Sequence, residues 1–109
     1  MFRIDQQPVF WRTVKVQVPS GEGFEEHSFR AKYQVLGIEE ASKFDLGDTE
    51  SSAAFLKRVV VDLDDIEDEK GLQAGFSPEL LDRLIDRPEI RTPLARSYFA
   101  AIAGEAEGN

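Results

Sequence analysis

The apolar positions of this chain follow two periods, and the change from one to the other divides it. From Thr13 to Val18 the pattern alternates, with Val14, Val16 and Val18 on one face and Thr13, Lys15 and Gln17 on the other. That is the period-2 signature of a half-buried strand. Pro19-Ser20-Gly21-Glu22-Gly23 then supplies turn chemistry, because Pro removes a ladder donor and Gly accepts positive φ. A second alternating run sets Phe29, Ala31, Tyr33 and Val35 against Ser28, Arg30, Lys32 and Gln34. The two runs predict an antiparallel hairpin. A lone hairpin is marginal in water, so later elements must cover its apolar face.

After Gly37 the period lengthens. Ile38, Ala41 and Phe44 recur at helical spacing, with Glu39 and Glu40 in the first turn and Gly47 at the end. Asp48 or Thr49 caps a second helix, predicted over 50–61, with Leu56, Val59, Val60 and Leu63 at i, i+3, i+4 and i+7. The β-branched run Val59-Val60-Val61 would also suit a buried strand, and the helix is preferred. Ser77-Pro78-Glu79 is a helix start, with Ser as N-cap and Pro at the first helical position. Leu80, Leu81, Leu84 and Ile85 form that helix's apolar face, and Pro88 stops it. Thr92-Pro93 repeats the start chemistry for a last helix lined by Leu94, Ala95, Tyr98, Phe99 and Ile102 and closed by Gly104. The fold class expected is α+β: an N-terminal antiparallel β-hairpin packed against about four short α-helices, in one domain over 1–109. Its ordered core runs from 10 to 104 and its tail frays over 105–109.

Composition narrows the class. The 109 residues carry a net charge of −8, so a general nucleic-acid binder is not expected. There is no Cys, which removes disulfides and thiolate metal sites and fits a reducing compartment. No apolar run approaches a membrane span and the N-terminus has no signal-peptide pattern, so a soluble protein that stays where it is made is expected. Phe2, Ile4, Phe10 and Trp11 around Pro8 are expected to cover the sheet, with a sticky edge as the alternative.

The carboxylates Asp62, Asp64, Asp65, Glu67, Asp68 and Glu69 crowd one short stretch. Asp62 and Asp64 have the opening spacing of a calcium loop, but Ile66 stands where an oxygen ligand belongs and Glu67 where the turn needs Gly. A solvated acidic loop is expected, with no metal and no cofactor; weak cation binding and a patch for a basic partner are the alternatives. His27, the only histidine, has no partner for metal or triad chemistry and is expected at the surface or an edge. Arg83, Arg87, Arg91 and Arg96 are expected to neutralise the acidic loop or to be solvated, with a recognition patch as the alternative. No metal-ligand set, phosphate loop or nucleophile elbow is present in the pattern, so an enzyme is not expected.

Several short patterns occur in a fixed order along the chain. They are the strand pair Val14–Val18 with Phe29–Val35, then Leu36-Gly37-Ile38-Glu39-Glu40, then Phe55-Leu56-Lys57-Arg58-Val59-Val60. The acidic stretch Asp62–Gly71, Phe76-Ser77-Pro78-Glu79-Leu80-Leu81, and Pro88-Glu89-Ile90-Arg91 through Leu94 to Tyr98 complete the series. Together they resemble the tail assembly chaperones of long-tailed bacteriophages and prophages. One departure is Leu63 in a region where such chains tend to carry Trp.

The resemblance implies a non-catalytic protein that binds the tape-measure protein, keeps it soluble and helps recruit the tail tube protein. It also implies a homo-oligomer, a possible frameshifted longer form, no nucleic-acid or membrane partner, and residence in the bacterial host cytoplasm but not in the mature virion. A client groove is expected between the 50–61 and 93–103 helices, near Phe55, Leu56, Tyr98 and Phe99. The rival reading is a small acidic inhibitor or DNA mimic that occupies a basic cleft.

Overall fold

The computed structural model describes residues 1–4 and 7–106. Strand β1 (Val9–Ser20) and strand β2 (Gly23–Gln34) form the hairpin, paired from Val9↔Gln34 to Ser20↔Gly23. Both are longer than the alternation predicted, and the turn shrinks to Gly21-Glu22, with Gly21 at φ +59. Glu25, Glu26 and His27 are exposed, so the start of β2 has no apolar beat by which sequence could mark it as strand.

Helix α1 (Ile38–Ala41) and helix α2 (Thr49–Val59) follow, and Asp48 caps α2 by accepting from the Ser51 N–H at 2.8 Å. The helix predicted to 61 ends at Val59. Val60–Asp64 is a third strand, β3, antiparallel to β2 in a sheet of order β1-β2-β3. Tertiary pairing decided the ambiguity at Val59-Val60-Val61: β2 offered an open edge, and β-branched residues fit a pleated, half-buried surface. Asp62 and Asp64 therefore belong to a strand and not to a loop.

Asp65 leaves the strand with φ 60, a left-handed conformation that Asp tolerates better than most residues. Beyond it the acidic stretch folds back on itself. Glu67 bridges Gln73, Asp68 N–H donates to Leu72 O, and the Asp68 carboxylate accepts from the N–H groups of Lys70 and Leu72 at 2.8 and 3.0 Å. The loop is exposed, as Asp65, Glu67 and Glu69 show, and it is also an organised turn.

Helix α3 (Pro78–Ile85) begins as predicted, with the Ser77 hydroxyl accepting from Leu80 N–H at 3.0 Å. The last helix does not. Helix α4 (Pro88–Ile102) starts at Pro88, so the residue that ends α3 also opens α4, and Pro93 lies inside it. Pro93 withholds the N–H that Glu89 O would accept, a defect that in isolation costs about 3 kcal/mol. Packing offsets it: Leu94 and Tyr98 beyond Pro93 are buried, and Ile90 before it packs on the core. Gly104 (φ +79) closes α4, with Glu105 N–H donating to Ala100 O. Arg12 donates to the carbonyls of Glu105 and Ala106 in the segment expected to fray. The rest of the predicted frayed end, 107–109, lies outside the described residues.

One face of the sheet carries Val14, Val16, Phe29, Ala31 and Tyr33, all buried in a core shared with Phe55, Leu56, Val59, Leu81, Ile85, Leu94 and Tyr98. Trp11, Lys15, Arg30, Lys32, Asp62 and Asp64 fall on the opposite face by register. Cross-strand opposites Arg30↔Asp64 and Lys32↔Asp62 balance charge there. Of the N-terminal apolar residues only Phe10 joins the core. Phe2 and Ile4 are exposed, and Trp11 stays 36% exposed with Arg30 and Lys32 near its ring.

Candidate functional site

Seven ring contacts connect the aromatic side chains beneath the last helix. Tyr98 stands at the centre, within 5.2–6.4 Å of Phe10, Tyr33, Phe55 and Phe99 by ring centroid. Phe55 stacks flat on Phe99 at 5.6 Å and meets Phe44 edge-on. Two hydroxyls tie this apolar cluster to the backbone: Tyr33 donates to Leu94 O at 2.7 Å, and Tyr98 accepts from Leu36 N–H at 3.0 Å. Buried Tyr needs such partners, and both of these have them. Burial also pushes the Tyr33 phenol well above the ordinary tyrosine range, against the opposing pull of the Ser97 hydroxyl and the Arg12 charge.

Between the second and last helices, where a client groove is expected, lies a crevice of about 200 Å³. Leu46, Ser52, Phe55, Leu56, Arg91 and Ala95 are among its lining residues. Of the four side chains expected to face a client, however, Phe55, Leu56 and Tyr98 are at most 2% exposed and serve as core. Phe99 alone reaches the surface, at 42% exposure. Ile102, one turn further along α4, is 49% exposed and borders a second crevice of about 510 Å³ shared with Pro8, Phe10, Trp11 and Val35. Leu46, Trp11 and Ile102 are the surface residues that the helical pattern did not single out for this role. Exposure depends on what the neighbouring elements cover, which no local pattern records.

Arg91 frames the first crevice. Its guanidinium donates to Ile85 O at 2.9 Å, Thr49 O at 3.0 Å and the Ser52 hydroxyl at 3.1 Å. One side chain thus joins the end of α3 and the start of α2 to α4, a role the four-residue Arg spacing did not reveal. Arg91→Ala is expected to cost about 1–3 kcal/mol, since charge-assisted bonds to the partly buried Ile85 carbonyl and the Ser52 hydroxyl are lost. Urea unfolding checks this, and a loss below about 0.5 kcal/mol would remove Arg91 from that role.

The other arginines divide. Arg83 pairs with Glu69 of the acidic stretch, Arg87 with Glu89, and Arg96 lines a crevice beside Arg12 and Lys15. Glu69 is held below the usual carboxylate range by its own backbone N–H and by Arg83. Asp64 accepts from the Gln73 amide at 2.9 Å, and Asp62 from the Leu63 N–H at 2.8 Å. Among the described residues no group of three or more His, Asp or Glu side chains is arranged to hold a metal ion. His27 is exposed, 3.3 Å from Glu25. No helix among the described residues is long and apolar enough to cross a membrane.

Fold and site together define an α+β chain whose antiparallel sheet is covered on one face and whose last helix contributes residues to both crevices. Comparison with protein-family models, curated proteins and solved structures finds no match to this chain.

Proposed function

We propose that this chain is a tail assembly chaperone of a long-tailed bacteriophage or prophage. It binds an amphipathic segment of the tape-measure protein in the host cytoplasm, keeps it soluble and helps bring in tail tube subunits, and it is absent from the finished virion. The observation that carries the reading is the pair Phe99 and Ile102, exposed one turn apart on α4, with Ile102 lining one crevice and Phe99 stacked on Phe55 of the other, on a chain of net charge −8. A tape-measure protein has long apolar helical stripes, and such a stripe seats its anchors in a groove of this kind. The negative charge keeps many copies apart on one client. The ordered motifs from Val14 to Tyr98 point the same way.

The acidic-mimic reading is less well supported, because Asp68 is bonded to its own turn and Glu69 to Arg83, so these carboxylates do not present a phosphate-like row.

Co-expression with the tape-measure protein of the same phage tests the proposal. The wild-type chain is expected to co-purify with it and to hold it in the soluble fraction. Phe99→Asp, which puts a charge at a half-exposed position, is expected to lose at least about tenfold in capture while remaining folded, as loss of a central apolar anchor typically does. A tape-measure protein that precipitates while the wild-type chain stays unbound would overturn the reading.

A further inference from the structure

The sheet has an incomplete strand. β2 pairs with β1 along its whole length to Gly23, whereas β3 accompanies it only from Tyr33↔Val60 to Arg30↔Asp64. Beyond that point the positive φ of Asp65 takes the chain away from the sheet. The space left beside β2 is a crevice of about 520 Å³. Phe29, Ile66 and Leu84 give it apolar surface, and His27, Asp65 and Glu67 contribute polar walls.

Register fixes which backbone groups face that space. With Ser20 opposite Gly23 across a two-residue turn, the odd-numbered residues of β2 exchange hydrogen bonds with β1. The N–H and C=O groups of Phe24, Glu26 and Ser28 therefore point the other way. Among the described residues no strand pairs with them. Of the devices that usually blunt an edge, this one has no Pro and no bulge and carries charge in Glu25 and Glu26.

We propose that the outer edge of β2 from Phe24 to Ser28 docks an extended, basic segment of another protein, which adds as a strand in the place β3 vacates. An extended segment is required because a helix has already satisfied the backbone groups that the edge would bond. A basic one follows from the charges: Glu25 and Glu26 lie on the strand, Asp65 and Glu67 line the crevice, and no Lys or Arg does. Alternate side chains of the added strand would sit over Phe29, Ile66 and Leu84, so basic residues alternating with apolar ones fit best. A second copy of this chain is disfavoured, because edge-to-edge pairing would set Glu25 and Glu26 against the same acids. The slot is separate from the α4 surface and stands whatever that surface holds.

The test uses the whole chain and a blocked peptide of about six residues alternating lysine and valine, with a glutamate–valine peptide as control. Backbone amide exchange is followed by NMR. The basic peptide is expected to slow exchange at Phe24, Glu26 and Ser28, with affinity falling as salt rises. The acidic peptide is expected to change nothing. Ser28→Pro deletes one outward N–H at an edge position, and Glu67→Lys reverses a wall charge without touching the strand. Each is expected to weaken binding on the order of threefold to tenfold.

No protection at these three amides, or equal protection by both peptides, would overturn the proposal. So would protection that appears without peptide as protein concentration rises, which would assign the edge to a second copy. Should Ser28→Pro fail to fold, wild-type affinity in Glu67→Lys would overturn the charge complementarity on which the choice of occupant rests.

Discussion

Tyr98→Ala is expected to be the most damaging single substitution in this chain, with a loss of about 3–5 kcal/mol for the ring alone. The ring touches Phe10, Tyr33, Phe55 and Phe99 and is 2% exposed, so its removal opens a cavity that four aromatic neighbours cannot all collapse into. The Leu36 N–H, which donates to the Tyr98 hydroxyl, is left buried without its partner, adding on the order of 1 kcal/mol. Chains of this size have roughly 5–15 kcal/mol in total. At about 4–8 °C per kcal/mol, Tm should fall by at least ~12 °C.

Tyr98→Phe separates the two contributions. It keeps the ring and loses only the hydroxyl, for an expected cost of about 1–2 kcal/mol. Thermal and urea unfolding of both variants check this. Tyr98→Ala within ~1 kcal/mol of wild type would mean that the aromatic cluster does not hold α4 to the sheet. The substitution also reaches the candidate site, because Tyr98 and Phe55 are the side chains against which Phe99 rests.

The second large effect is a loss of stability at high pH through Tyr33. Burial raises the phenol above its unfolded value near 10, so between pH 10 and the folded value the unfolded chain has released a proton that the folded chain retains. The stabilisation is complete below pH 10 and declines as pH rises, by up to about 1.4 kcal/mol per pH unit. Wild type compared with Tyr33→Phe isolates it, since lysines and other groups titrate alike in both. The stability difference between them is expected to shift against wild type by about 1–2 kcal/mol between pH 9.5 and 11.5. A difference that stays flat over that range would mean that the phenolate finds solvent or a cation in the folded state.

Much of the fold was legible because it depends on neighbours along the chain. The alternation of Val14, Val16 and Val18 against Phe29, Ala31 and Tyr33 marked both strands, and all of those residues are buried except Val18, which is partly buried against the core. Asp48 was one of two caps proposed for α2, and Ser77-Pro78 marked the start of α3; both helices begin there. The errors arose where two local signals competed. Val59-Val60-Val61 suited helix or strand, and the open edge of β2 decided for β3. Pro88 reads as a helix stop and Thr92-Pro93 as a helix start, yet α4 begins at Pro88, and the core contacts of Ile90 and Leu94 carry the helix through Pro93. For the candidate site, sequence named four side chains on apolar helical stripes but not which of them reach the surface. An apolar stripe is wider than the part the core can cover, and only packing determined that Phe55, Leu56 and Tyr98 lie inside and Phe99 outside.

The sequence by itself therefore determined the α+β class, the hairpin, the second and third helix starts and an acidic chain without cysteine, because periodicity, capping and charge act within a few residues. Tertiary structure alone decided the third strand, the Arg91 clamp, the organised turn at Asp68 and the unpaired edge from Phe24 to Ser28. These depend on contacts between residues far apart in the chain, whose partners are set by the space other elements leave.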